Sequence, residues 1–86
     1  MSTAPPPPSA GEVATWIRRY LRKHPRAADT ARGIQRWWLA PSIGEVPLST
    51  VEQALATLER EGAVYKLDPL KTQPAYGRGQ RFGRHR

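Results

Sequence analysis

LSTVEQALATLEREGAV, residues 48–64, holds a helix start, an apolar stripe, a helix stop and the first residues of a strand. Ser49 and Glu52 stand three apart, the spacing of a capping box, in which each side chain meets the other residue's backbone N–H. Val51, Ala54, Leu55 and Leu58 recur at helical spacing and make one buried stripe. Gly62 fits the place just past a helix end, where a left-handed backbone closes the last turn. Beyond it, AVYKLD alternates apolar and polar residues like a half-buried strand. With the stripe turned inward, the outward side is Ser49, Gln53, Ala56, Thr57 and Arg60, none of them acidic. Glu52 and Glu59 share one flank and Glu61 lies on the other. A small, polar, mildly basic face suits close approach to DNA, where Gln pairs with adenine and Thr meets a thymine methyl. It also suits a protein partner.

Upstream, Asp29 or Thr30 is a good N-cap for a second helix. Ala31, Ile34, Trp37 and Trp38 share its apolar face, with Arg32 and Arg36 opposite. The tryptophan pair straddles Ile34 and reads as core and rim rather than as a base-stacking platform. Gly33 in the helix interior points to a close helix crossing. Pro41 ends the segment, and APSIGEVP is a connection in which Ile43 or Val46 forms a short strand or a loop anchor. A first helix begins at the capping box of Ser9 and Glu12 and carries Val13, Trp16, Ile17, Tyr20 and Leu21 on one face. Thr15, Arg18, Arg19 and Arg22 lie opposite. His24 before Pro25 ends it, because a residue preceding proline resists the α conformation. Downstream, DPLKTQPA is a loop, and YGRGQRF returns as a partner strand weakened by its glycines.

Three regions follow. Residues 1–8 form a disordered, proline-rich leader that favours polyproline II. Residues 9–76 form the folded domain. Residues 77–86 form a basic arm with Arg78, Arg81, Arg84 and Arg86 and no acid, ordered only on contact. A chain of 86 residues supports one domain, with a core of roughly a dozen side chains. The net charge is +7 and the sequence pI about 10.9, which favours an anionic partner. There is no cysteine, so disulfides and thiolate metal sites are excluded. The N-terminus lacks a secretory pattern, and no apolar run approaches the roughly 18 residues of a membrane span. A cytoplasmic protein with no membrane partner is expected. Richness in Ala, Arg, Pro and Gly suggests a GC-rich bacterial genome. Nothing in the sequence sets an oligomeric state.

Catalytic chemistry is not expected. His24 and His85 sit at a helix end and in the arm, without metal-ligand spacing. No motif supports a Ser-His-Asp arrangement. Gly-x-Gly in YGRGQRFG is not followed by strand, turn and helix, so it is no phosphate loop. No metal and no cofactor are assigned. RGQRFGRHR reads equally as a solubilising tail or as an arginine-glycine segment for RNA.

Three helices, a strand, a short loop and a second strand resemble the winged helix-turn-helix domain over residues 12–76. STVEQALATLEREGAV carries the resemblance: it looks like a recognition helix with its buried Leu-x-x-Leu spacing and a Glu-Gly-Ala-Val exit into the wing. The resemblance implies an α+β, mainly α fold with a small C-terminal β-hairpin wing. It implies a DNA-binding transcriptional regulator or accessory factor. Ser49, Thr50, Gln53, Thr57 and Arg60 would face the bases, with Lys71 in the wing and Arg32 and Arg36 near the phosphate backbone. Arg78 and Arg81 of the arm would add phosphate contacts. The alternative is a winged-helix adaptor docking on a protein in a larger assembly. Charge placement separates the two. DNA binding needs Arg32, Arg36, Lys71 and the arm on one face with the third helix. An adaptor leaves the basic first helix on the far side and an apolar patch elsewhere. A plain three-helix bundle with a tail is the competing layout.

Overall fold

A computed structural model describes residues 6–79. Helix α1 spans Ala10–Lys23 and strand β1 spans Ala28–Thr30. Helix α2 is continuous through residues 31–43 in three pieces: Ala31–Gly33, a π-helical turn at Ile34–Leu39, and Ala40–Ile43. Helix α3 is Leu48–Arg60, and β2 (Val64–Leu67) and β3 (Ala75–Arg78) form the hairpin. The three strands make one antiparallel sheet in the order β1-β3-β2. The architecture is α+β, mainly α, with a winged-helix-like layout, and the sheet excludes a bare three-helix bundle. Among the described residues no helix is long and apolar enough to cross a membrane.

Local chemistry explains most boundaries. In α1 the capping box is formed: Glu12 N–H donates to Ser9 Oγ at 3.1 Å, and Ser9 N–H donates to the Glu12 carboxylate at 2.9 Å. Val13, Ala14, Ile17 and Leu21 face inward, and the helix closes at His24. In α3 the stripe Val51, Ala54, Leu55, Leu58 is fully buried. A Schellman closure ends it: Gly62 sits at φ 79°, its N–H donates to the Glu59 carbonyl at 3.0 Å, and Ala63 N–H donates to the Leu58 carbonyl at 2.8 Å. The helices and β2 bury these residues together with Ile34, Trp38, Leu39, Val46 and Val64. No polar side chain is buried in this core among the described residues.

Five expectations need correction. The α3 cap is Pro47, not Ser49, because the helix starts at Leu48, one residue before the expected box. Thr50 and Val51 donate to the Pro47 carbonyl at 3.0 and 3.2 Å, and Ser49 lies inside the first turn.

Pro41 does not end α2. Ala40 N–H reaches back to the Gln35 carbonyl, one residue further than an α-helix reaches, and Pro41 has no N–H to place. The helix stops instead at Gly44, whose φ is 80°. Ile43 is therefore helical, and Val46 is the loop anchor, 1% exposed and held where Gln35 Nε2 donates to its carbonyl at 2.6 Å.

The π turn also separates the tryptophans. It fits an extra residue into the turn, so Ile34 and Leu39, five apart, both reach the core beside Trp38. Trp37 is rotated out. Trp38 is 6% exposed and Trp37 64%, so Trp37 is neither core nor rim.

Gly33 marks no helix crossing. A Cβ there would lie 1.9 Å from the Asp29 carboxylate, which occupies that space and accepts from Thr30 N–H at 2.8 Å. Thr30 is the α2 N-cap, with Oγ1 accepting from Gly33 N–H at 3.1 Å. The strand before it, β1, has no counterpart in the sequence reading.

Finally, the folded unit passes residue 76. Gly77 and Arg78 belong to β3, and Gly79 N–H donates to the Ala63 carbonyl at 2.8 Å. The rest of the expected arm, Arg81 included, and residues 1–5 lie outside the described residues.

Candidate nucleic-acid interface

Helix α3 presents its outward side to solvent. Ser49, Gln53, Ala56 and Arg60 are exposed, while Thr50 and Thr57 are half-buried on one flank. Arg60 Nη2 donates to Thr57 Oγ1 at 3.4 Å, so this pair is partly engaged at the helix end. Among the described residues the Gln53 side chain has no hydrogen-bond partner, which leaves both its amide donor and its acceptor available.

Beside the first turn of α3 lies a cleft of about 290 Å³ between α2 and the wing. Leu48 and Glu52 line it from α3, Arg32 from α2, and Lys66, Gln73 and Tyr76 from the sheet and wing loop. Strand register explains how the sheet reaches it. Lys66 pairs with Tyr76, and Tyr76 pairs with Asp29, so all three lie on the helix-facing side. Glu52 thus shares the cleft with two cations, Arg32 and Lys66, and makes no ion pair with either.

Arg32 also lines a second concavity, with Arg36, Trp37, Asp29 and Gln73. Arg32 and Arg36 are exposed, and neither makes an ion pair among the described residues. Exposed cations without a counter-ion are what contact with an anionic partner requires.

The other expected cations are Lys71, Arg78 and Arg81. Lys71 is in the wing, but its ammonium lies 3.6 Å from the Asp68 carboxylate in the same loop, so the two charges of the wing loop offset each other. Arg78 is at the opposite end of α3, beside Glu59, Gly62 and Pro25. Helix α3 spans 13 residues, so that end is roughly 20 Å from Leu48. Arg81 lies outside the described residues. The basic face of α1 is engaged elsewhere: Arg18 pairs with Glu61, and Arg19 stacks over Trp16 at 4.8 Å.

The sheet has a contrasting outer side. Tyr65, Leu67, Ala75, Gly77 and Ala28 share it by register, and none is charged. Tyr65 is 48% exposed there, and Leu70 in the adjoining wing loop is 99% exposed.

No family model, curated protein or solved structure matches this chain. Among the described residues no group of three or more His, Asp or Glu is placed to hold a metal ion.

Sequence reasoning misses two members of this surface. Gln73 reads only as a loop residue. Trp37 reads as inward, although Pro41 four positions later carries the signal. A proline ring collides with the carbonyl four residues before it, so an α-helix continuing through Pro41 must widen there.

Proposed function

We propose that this chain is a winged-helix protein that binds duplex DNA, as a transcriptional regulator or accessory factor. Helix α3 enters the major groove, where Gln53 and Ser49 read base edges and Arg60 extends the contact. Arg32 and Arg36 hold phosphates beside the helix start, and the wing lies against the adjacent backbone. The observation that carries this reading is the acid-free, exposed side of α3, with an unbonded Gln53 and the unpaired Arg32 beside its first turn.

The test is a titration of random and selected duplexes at several salt concentrations. Gln53→Ala should change preference at one base pair by about 1–3 kcal/mol. Arg32→Ala with Arg36→Ala should weaken all duplexes alike and flatten the salt dependence by up to roughly 0.9 for each phosphate no longer neutralised. If every duplex is released near physiological salt and Gln53→Ala alters nothing, α3 is not a reader.

A second reading is an adaptor that docks on a protein. The uncharged outer side of the sheet, with Tyr65 and Leu70 exposed, favours it. Under that reading Tyr65→Ser and Leu70→Ser abolish partner binding, and nucleic-acid affinity is unchanged.

A further inference from the structure

Trp37 is a large apolar side chain left in water by a helix that buries its neighbour. Its 64% exposure follows from the π turn, a distortion that costs regular hydrogen-bond geometry and is frequent at functional sites. The turn has a structural role, since it seats Ile34, Trp38 and Leu39 and accommodates Pro41. That role does not require a tryptophan at the position turned outward. A polar residue there would leave the same core.

Its surroundings are specific. Trp37 lines one concavity with Arg32 and Arg36, both exposed and unpaired among the described residues. Gln73 of the wing closes one side and supplies an amide. Asp29 is the one acid in that lining, and its carboxylate is held by Thr30 N–H and packed over Gly33. An exposed indole that lines one concavity with two arginines, on a chain of net charge +7, matches a planar ring flanked by anions. Nucleotides have that chemistry. In an intact duplex each base is stacked on both sides and offers no face to an indole, so the base must be unpaired.

We infer that Trp37, Arg32 and Arg36 form a stacking site for an unpaired nucleobase and its flanking phosphates. The inference rests on the nucleic-acid part of the proposed function and adds a substrate class to it: single-stranded segments, or duplexes carrying an unpaired base. The site adjoins the α3 cleft through Arg32, which lines both. A duplex seated on α3 can therefore place an opened or overhanging strand on Trp37. The chemistry is shared by DNA and RNA, and the probes separate them.

The full chain is titrated with twelve-nucleotide oligothymidylate, oligouridylate and a blunt hairpin duplex, reading tryptophan emission and anisotropy. Stacking quenches the indole, so oligothymidylate should lower emission in the parent. In Trp37→Ala that quench should vanish and the affinity fall about five- to 150-fold, the fold-change equivalent of removing one base stack. Trp37→Phe should retain part of the affinity, and Arg32→Ala with Arg36→Ala should weaken binding while leaving the residual quench dependent on Trp37. Quenching by oligouridylate alone would assign the site to RNA, and by both to either strand type. Equal affinity of parent and Trp37→Ala for both oligonucleotides overturns the inference, as does a quench that survives Trp37→Ala, since it then comes from Trp16 or Trp38. The hairpin separates this from the reading of α3. Hairpin affinity that depends on Gln53, without single-strand binding, sinks the stacking site alone. Single-strand binding that depends on Trp37, without hairpin binding, supports the site and sinks the duplex reading.

Discussion

At Gly33 two ordinary effects oppose each other. An alanine in a helix interior is worth about 1 kcal/mol over glycine. Here the added Cβ would lie 1.9 Å from Asp29 Oδ1 and 2.2 Å from Cγ, so the carboxylate must swing away. It then loses the Thr30 N–H, a bond to a charged acceptor worth about 1.5–3 kcal/mol. Gly33→Ala should therefore lower stability by about 1 kcal/mol in urea unfolding. In an Asp29→Ala background the bond is already gone, so the same change should cost less than in the parent. A double-mutant cycle with no coupling would mean that Asp29 does not hold Gly33. The sequence marks Gly33 as special but points to the wrong neighbour. A glycine reports that space is needed, and only the register of β1 says that Asp29 fills it.

At the scale of elements, α2 makes a sharper prediction, because adjacent tryptophans have unrelated roles. Trp38 is buried and stacks on Tyr20 with ring centroids 4.5 Å apart, inclined by 11°. Trp38→Ala removes a core aromatic and should cost about 3–5 kcal/mol. Trp37→Ala removes a side chain in water and should stay within about 0.5 kcal/mol of the parent. Equal losses in chemical denaturation would mean that the π turn is absent in solution. Helices α1 and α3 are legible in the sequence because their apolar residues keep a 3.6-residue period and their ends carry recognisable closures, Ser9 with Glu12 and Gly62. Helix α2 is legible in its inward Ile34 and Trp38, both buried, and in its start up to Gly33. Beyond it the period changes, and a wheel drawn at a fixed angle puts Trp37 inward and omits Leu39. Strand β1 is illegible for another reason. Three residues, Ala-Asp-Thr, carry no alternation, and their extended form comes from pairing with β3. The outward residues of α3 follow directly from the legible stripe, whereas Trp37 and Gln73 depend on the two features the sequence conceals.

For the whole molecule, the decisive fact is that β3 is the central strand. Gly77 pairs with Ala28 on one side and Tyr65 on the other, and Arg78 pairs with Val64. A truncation that removes residues 77–86 breaks both ladders and frees the Ala63 carbonyl from Gly79. In a domain of this size, whose stability is only a few kcal/mol, such a chain should fail to melt cooperatively. Removing residues 80–86 leaves every one of those pairs in place, and Tm should move by no more than a few degrees. That shorter cut removes Arg81, Arg84 and Arg86 and no acid. If those arginines neutralise phosphates, affinity for all duplexes falls alike, and the plot of log affinity against log salt flattens by up to roughly 0.9 per phosphate. Sequence preference should survive, because the proposed base readers are Gln53 and its neighbours on α3. The two cuts thus separate folding from charge, which a single deletion of the basic end would confuse. Should the cut after Gly79 erase sequence preference while Tm holds, base reading lies in residues 80–86, and α3 loses its assigned role.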